Sequence, residues 1–333
     1  MLAAYRRLEK SGEMPVRYAW GYRDVPFDLD DLGLSRFSDL LGTGSDYLWL
    51  VGAHGRSGGT CTTEPASPEV KKNERCSFAP GSPGYQDIYR IVRAGGRIAT
   101  MHSSGDKDID YLLDAIERAS RDAGFTADEI RSKRHAFDHC QFAPRQDQIS
   151  RIKQLGMIVS CQSTILYEPL TQRLLQDYGP QMAERIVPRK LLTDSQIMNT
   201  FEIDRPIGHT DRNAFFYLHL AIARRSRNGD VIGPGQRIDR VTSLKTATVW
   251  AGYYALREDL LGSLEPSKFA DFIVLDRDFL TIPEDEIPKI NVLMTVMGGK
   301  VMHLVPEIAS EMGMQPVGAQ ALLAASQSRR SDR

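Results

Sequence analysis

Short apolar runs alternate with amphipathic segments along most of this chain, and that rhythm limits its architecture more than any other feature. VRYAWGY (16–22), YLWLVGA (47–53), RIATMHS (97–103), HAFDHCQ (135–141), MIVSCQS (157–163) and NTFEID (199–204) read as strands. The second is continuous and apolar, the mark of a strand covered on both faces. Between them, YLLDAIERASRDAG (111–124) sets Leu112, Ile116 and Ala119 at helical spacing and stops at Gly124. PRQDQISRIKQLG (144–156) opens on Pro144 and closes on Gly156, as helices tend to. Such alternation predicts a parallel sheet covered by helices. No Gly-x-Gly-x-x-Gly follows the first strand, and no GxxxxGKS or GxxxxGKT occurs. Dinucleotide and P-loop chemistry therefore lack their fingerprints. The expectation is an α/β fold of the (β/α)8 type, two strands short of the eight that close such a barrel.

The partial barrel is expected over 1–262. After Gly262 the pattern changes to short strands and turns, which predicts a small β-structure over 263–305 and a tail over 306–333, polar and frayed towards its end. The segment 55–85 is a loop rich in Gly, Ser, Thr and Pro. It follows a strand end, where barrel active sites lie, so it reads as a lid or as a mobile surface loop. Trp49 and Tyr85 are either pocket aromatics or core.

Lys and Arg total 42 against 43 Asp and Glu, a formal net charge of −1. That balance gives no global attraction to nucleic acid or to an anionic membrane. The longest apolar stretch, Phe215–Ala223, is interrupted by His219 and falls far short of the roughly 20 residues a bilayer span needs. MLAAYRRLEK at the start has no apolar core of signal-peptide length. The expectation is a cytoplasmic protein acting on a small molecule, with no nucleic-acid or membrane partner. Exposed sheet edges would favour a homo-oligomer. Cys61, Cys76, Cys140 and Cys161 form no CxxC pair. In a reducing compartment they are expected as four free thiols, with Cys61 and Cys76 able to pair under oxidation.

Three residues carry candidate chemistry. His102 ends RIATMHS, His139 lies near the end of HAFDHCQ, and Asp204 ends NTFEID. In a barrel those strand ends meet at one mouth. Imidazoles and a carboxylate suit zinc and similar divalent ions, and a metal lowers the pKa of water to about 7 while a nearby Asp takes the proton. Each residue alone is equally compatible with a hydrogen-bonded structural role. His54, at another strand end beside the long loop, is a further candidate ligand. His209 is near the mouth and is a candidate substrate contact. His219 reads as packing. His135 starts its strand, so it lies at the opposite end or faces outward. Asp138 points to the other face from His139.

These residues, in this order, resemble the amidohydrolase superfamily, and within it amidohydrolase family 3, the YtcJ-like metal-dependent hydrolases. GSLEPSKFADFIVLDRDFLTIPEDEIPKINVLMTVMGGKVMH (262–303) is similar to that family's closing segment almost position by position. MHSSGDKDIDYLLDAIE (101–117) resembles its "VHAIGDRAVDxxLDAFE", RHAFDHCQF (134–142) its "RHRIEHAQL", and FEIDRPIG (201–208) its "xGSDxPVx". The resemblance implies a metal-dependent barrel with a small β-sandwich and hydrolysis of a non-peptide C–N bond by metal-activated water. It implies His102 and His139 as metal ligands, Asp204 as the base, and one or two divalent ions, zinc by preference, in a complete family member.

The sequence departs from the family at two points. No His-x-His occurs, and Leu50 stands where the family carries a lysine. The resemblance implies that the first-strand ligand pair belongs to a region preceding this sequence, an expectation in keeping with the count of six strands. Truncation, completion by another chain, and degeneration into a non-catalytic relative that has lost its metal site remain open.

Overall fold

The structure, a computed structural model, describes residues 2–23, 29–204 and 213–318. Strand β1 (Tyr18–Arg23) pairs in parallel with β2 (Leu48–His54). A parallel bridge from Ala53 to Ile98 adds the segment around 98–102, and a second from His102 to Asp138 joins it to β3 (Ala136–Phe137). Then follow β4 (Ile158–Gln162) and β5 (Asn199–Glu202), each parallel to the one before. The result is a row of six parallel segments in chain order. Among the described residues the row does not close: β1 pairs only with β2, and β5 only with β4.

The middle of the row is less regular than the sequence suggests. RIATMHS pairs only through single bridges, and HAFDHCQ keeps two ladder residues. Left-handed backbone explains this: Thr100 has φ of 61°, His139 81° and Cys140 43°. A strand cannot continue through such angles. Asp204, at φ 60°, ends the last segment two residues beyond the ladder.

Helix Asp106–Asp122 carries the main core. Ile109, Leu112, Leu113, Ile116 and Ala119 are fully buried. They share one cluster with Ile88 and Ile91 of helix Pro83–Arg93 and with Ala53, Ile98, Phe137 and Val159 of the sheet. Spacing of three and four residues puts these side chains on one helical face. Gly124, at φ 75°, ends the helix by bonding back to the Arg121 carbonyl.

The loop after β2 is tethered. It contains a short helix, Pro68–Asn73. Asp108, fully buried, accepts backbone N–H bonds from Gly59, Ser77 (3.2 Å) and Phe78 (2.8 Å). Asp106, also fully buried, accepts from the backbone and hydroxyl of Thr63 and pairs with Arg145 and Arg185. Both carboxylates sit in the first turn of helix Asp106–Asp122. The reading of a mobile surface loop gives way to a wall fixed from below.

The expected free thiols are not found. Cys61 is joined to Cys76, and Cys140 to Cys161. The first bridge staples the tethered loop. The second links the chain just past β3 to β4, where parallel pairing brings neighbouring strand ends together. Trp49 and Tyr85 prove to be core: the Trp49 indole donates to the Ala255 carbonyl at 2.6 Å, and Tyr85 packs in helix Pro83–Arg93.

The C-terminal part holds an antiparallel sheet of β6 (Phe272–Leu275), β7 (Val292–Met297) and β8 (Lys300–Leu304). Arg17, just before β1, makes a two-point ion pair with Asp271 (2.6 and 3.1 Å) and lies over the Phe269 ring. Helix Ala214–Ala223 is apolar apart from His219 and the Tyr217 hydroxyl, and is buried from Phe215 onward. Phe215, Leu218 and Ile222 pack on Phe279, Ile287 and Ile290, while Phe216 and Tyr217 pack towards Tyr167 and Phe201. His219 is buried within it, in the packing role expected. The frayed end expected of the tail, beyond residue 318, lies outside the described residues. None of the described helices is long and apolar enough to cross a membrane.

Candidate metal-binding active site

His102 and His139 face each other at the C-terminal ends of neighbouring strand segments. Their rings meet edge to face with centroids 4.3 Å apart. The bridge from His102 to Asp138 sets this register, and the left-handed turn at His139 ends the strand there. Histidine is among the residues that enter that region most readily.

Glu202 lies beneath His139. One carboxylate oxygen takes the His139 Nδ1 contact; the other accepts the His139 backbone N–H at 2.9 Å and the Ser160 hydroxyl at 2.8 Å. Burial alone would raise the Glu202 pKa, but the hydrogen bond and charge of His139 hold it below the usual carboxylate range. For His139, burial would lower the pKa, and the Glu202 bond and charge outweigh it, so the imidazole sits above its ordinary value. His102 has no such partner. Burial and then the charge of His139 push it down to about 4, so it is neutral at pH 7. Its Nε2 is 3.0 Å from the Ser104 hydroxyl.

Asp204 is exposed two residues beyond β5, and its charge favours protonation of both rings. His54 ends β2 with its ring buried and Nδ1 3.0 Å from the Gly55 carbonyl oxygen. Among the described residues, no set of three His, Cys, Asp or Glu side chains that includes the two rings has all its ligand atoms within 4.8 Å of one another. Cys61, Cys76 and Asp108 do approach that closely, but the cysteines are joined to each other and Asp108 is spent on backbone N–H groups. His209 lies outside the described residues.

The donor chemistry fits a divalent ion. Glu202 occupies Nδ1 of His139 and Ser104 meets Nε2 of His102, which leaves Nε2 of the first ring and Nδ1 of the second as donors. A carboxylate on the far nitrogen is the usual companion of a metal-bound imidazole. A coordinating nitrogen carries no proton, so any proton on His139 Nε2 leaves when an ion binds.

Two side chains near this site were not singled out from the sequence. Glu202 stands two residues before Asp204, and strand alternation was the available signal. Tyr254 carries no local signal. It arrives from the helix Val249–Tyr254 to donate its hydroxyl to Asp138 at 2.9 Å, while accepting the Thr100 N–H. Asp138 is half-buried; burial and then the Glu202 charge push its pKa up to about 7. His135 is at the other end of its strand and is buried rather than outward-facing, accepting the Ile98 N–H at 3.1 Å.

Beyond His102 and Ser104 opens a cleft of about 640 Å³, walled by the tethered loop and by helix Pro169–Tyr178.

Comparison with known proteins gives a family match over residues 1–303, to the amidohydrolase family. N-substituted formamide deformylase of Arthrobacter pascens is 24% identical over 304 residues, which covers 90% of this chain and 54% of that protein. The chain thus spans about half the length of that relative. An uncharacterized metal-dependent hydrolase from Pyrococcus horikoshii superposes with a TM-score of 0.62 at 21% identity, over 86% of this chain and 56% of its own. A mutant of atrazine chlorohydrolase from Arthrobacter aurescens, complexed with zinc and atraton, superposes with a TM-score of 0.54 at 15% identity, over 96% and 67%. These superpositions establish a shared α/β fold.

Proposed function

This chain belongs to the amidohydrolase family, and from that membership we propose that it forms the His102–His139–Asp204 side of a metal-dependent hydrolase acting on a C–N bond of a non-peptide, amide-like substrate. The observation that carries the reading is the His102–His139 pair, rings 4.3 Å apart at adjacent strand ends, with Glu202 holding one of them. The name of the formamide deformylase supports a C–N bond as the target, and the zinc-containing relative supports zinc.

His102 and His139 would hold the ion. A divalent ion bound there supplies Lewis acidity, which polarises a carbonyl and makes water nucleophilic at neutral pH. Glu202 fixes the His139 ring and its tautomer. Ser104 orients His102. Asp204, exposed at the mouth, accepts the proton released by the attacking water and returns it to the departing nitrogen. The Tyr254 hydroxyl bond to Asp138 fixes the residue next to His139.

A second reading, a relative without a working metal site, is favoured by one observation: among the described residues no third ligand joins the two rings within 4.8 Å. Zinc content after equilibrium dialysis separates the two. Stoichiometric zinc in the native chain, lost in His102→Ala/His139→Ala, supports the hydrolase reading. No zinc in either protein supports the second.

A further inference from the structure

The cleft beside His102 has a marked division of character. Phe142, Leu174 and Tyr178 are buried at its floor, and half-buried Val70 and Leu170 extend the same apolar surface outward. The Phe142 and Tyr178 rings stand 6.3 Å apart at a tilt of 51°. The Tyr178 hydroxyl donates to Glu74 at 3.0 Å, and the Lys71 ammonium lies 5.9 Å from the Tyr178 ring centroid. Glu74 is in turn paired with Lys71 at 2.8 Å. Asp177, also on the lining, lies 3.6 Å from Arg173. Glu69 sits on the exposed outer turn of helix Pro68–Asn73. The deep carboxylates thus face cations of the protein itself. A charged ligand would have to break those pairs, whereas a neutral apolar one leaves them intact and buries surface worth roughly 25 cal/mol per Å².

Position adds a second constraint. His102 and Ser104 line the same cleft, so a group lodged on the apolar surface lies in the cavity that His102 borders. The walls do not have to assemble around it. The Cys61–Cys76 bridge and the Asp108 bonds fix the loop on one side. Thr171, in the first turn of helix Pro169–Tyr178, bonds to the Ile165 carbonyl at 2.5 Å on the other. A preformed cleft of this size falls within the ordinary range for small-molecule sites, about 300–1,000 Å³.

We propose that the cleft bounded by Val70, Phe142, Leu170, Leu174 and Tyr178 is a specificity pocket for an aryl or branched alkyl arm of a neutral amide whose carbonyl is presented at His102 and His139. The proposal rests on the hydrolase reading for the bond that is cut, but not for the binding of the arm. It excludes substrates whose arm carries a net charge.

The test uses N-phenylacetamide and N-methylacetamide, which differ only in the arm, and reads binding by saturation-transfer NMR on the protein as purified. The expected result is saturation of the phenyl compound at millimolar concentration or below and at least tenfold weaker binding of the methyl compound. Val70→Trp, at a half-buried position on the cleft wall, is expected to weaken the phenyl compound at least tenfold with an unchanged far-UV spectrum. Leu170→Asp, which puts a charge on the apolar surface, is expected to do the same. Equal signals for the two amides, or unchanged phenyl binding in both variants, overturn the pocket. Aniline release by the zinc-loaded protein is assayed separately: binding without release retains the pocket and removes the hydrolase reading.

Discussion

His139 and Glu202 are held together at two points, ring nitrogen on one carboxylate oxygen and backbone N–H on the other at 2.9 Å. The side chain and the main chain of one residue are therefore fixed by a single carboxylate 63 residues away. Ser160 adds a third bond to the same group.

Glu202→Gln keeps the shape and removes the charge. The neutral amide no longer strengthens His139 as a donor, and zinc affinity is expected to fall about 10–100-fold, the usual cost of losing such a partner. Competition with a chromogenic chelator measures this. Unchanged affinity would show that the pair serves folding only.

Asp204→Asn removes the proposed proton acceptor while the two imidazoles remain. The expected outcome is a fall in kcat of about 10²–10⁴-fold with zinc content retained. Full turnover in this variant assigns proton transfer to another group.

His135 makes stability depend on pH. Burial, then the charges of Arg97 and Lys133, push its pKa down to about 3, against an ordinary value of 6.5. Between those limits the unfolded chain binds a proton that the folded chain refuses, so stability falls with acidification from about pH 6.5 towards pH 3. One such group contributes up to ~1.4 kcal/mol per pH unit in that window. Urea unfolding at a series of pH values reads the slope. His135→Asn keeps an acceptor for the Ile98 N–H and is expected to flatten it; identical slopes would locate the acid sensitivity elsewhere.

Asp108→Ala strands the N–H groups of Gly59, Ser77 and Phe78. Each buried donor left without a partner costs about 1–3 kcal/mol, so a loss of roughly 3 kcal/mol or more is expected. Trypsin should then cut at Lys71, Lys72 or Arg75 in the variant well before the native protein. Equal cleavage rates would mean that the Cys61–Cys76 bridge alone holds the loop.

The disulfides make a chemical prediction. Denatured, unreduced protein is expected to show no thiol towards Ellman's reagent, and four after reduction. Any free thiol before reduction removes at least one bridge.

The order of strands, the helix built on Leu112, Ile116 and Ala119, and the placing of His102, His139 and Asp204 at or just past strand ends were all legible, because periodicity and strand-end position are local properties. The turns that shorten the middle strands were not, since nothing in HAFDHCQ forces left-handed backbone at His139 and Cys140. The tethering of residues 55–85 was hidden for another reason. The carboxylates that hold that loop belong to a helix some 30 to 50 residues further on, and their role exists only after folding. Tyr254 is similar, meeting Asp138 across a separation of 116 residues. The disulfides were not legible, because folding alone brings together sulfurs 15 and 21 residues apart in the chain.

Each segment of the parallel row lies beside its neighbour in the chain, and this has a consequence for how the molecule comes into being. A sheet built in that order needs few long loops closed at once, so its entropy loss is spread over many small steps. Synthesis from the N-terminus delivers the partners in the order in which they pair. The ion pair between Arg17 and Asp271 joins residues 254 apart and forms late. Strand β1 is not tied to the C-terminal sheet until residue 271 has been made.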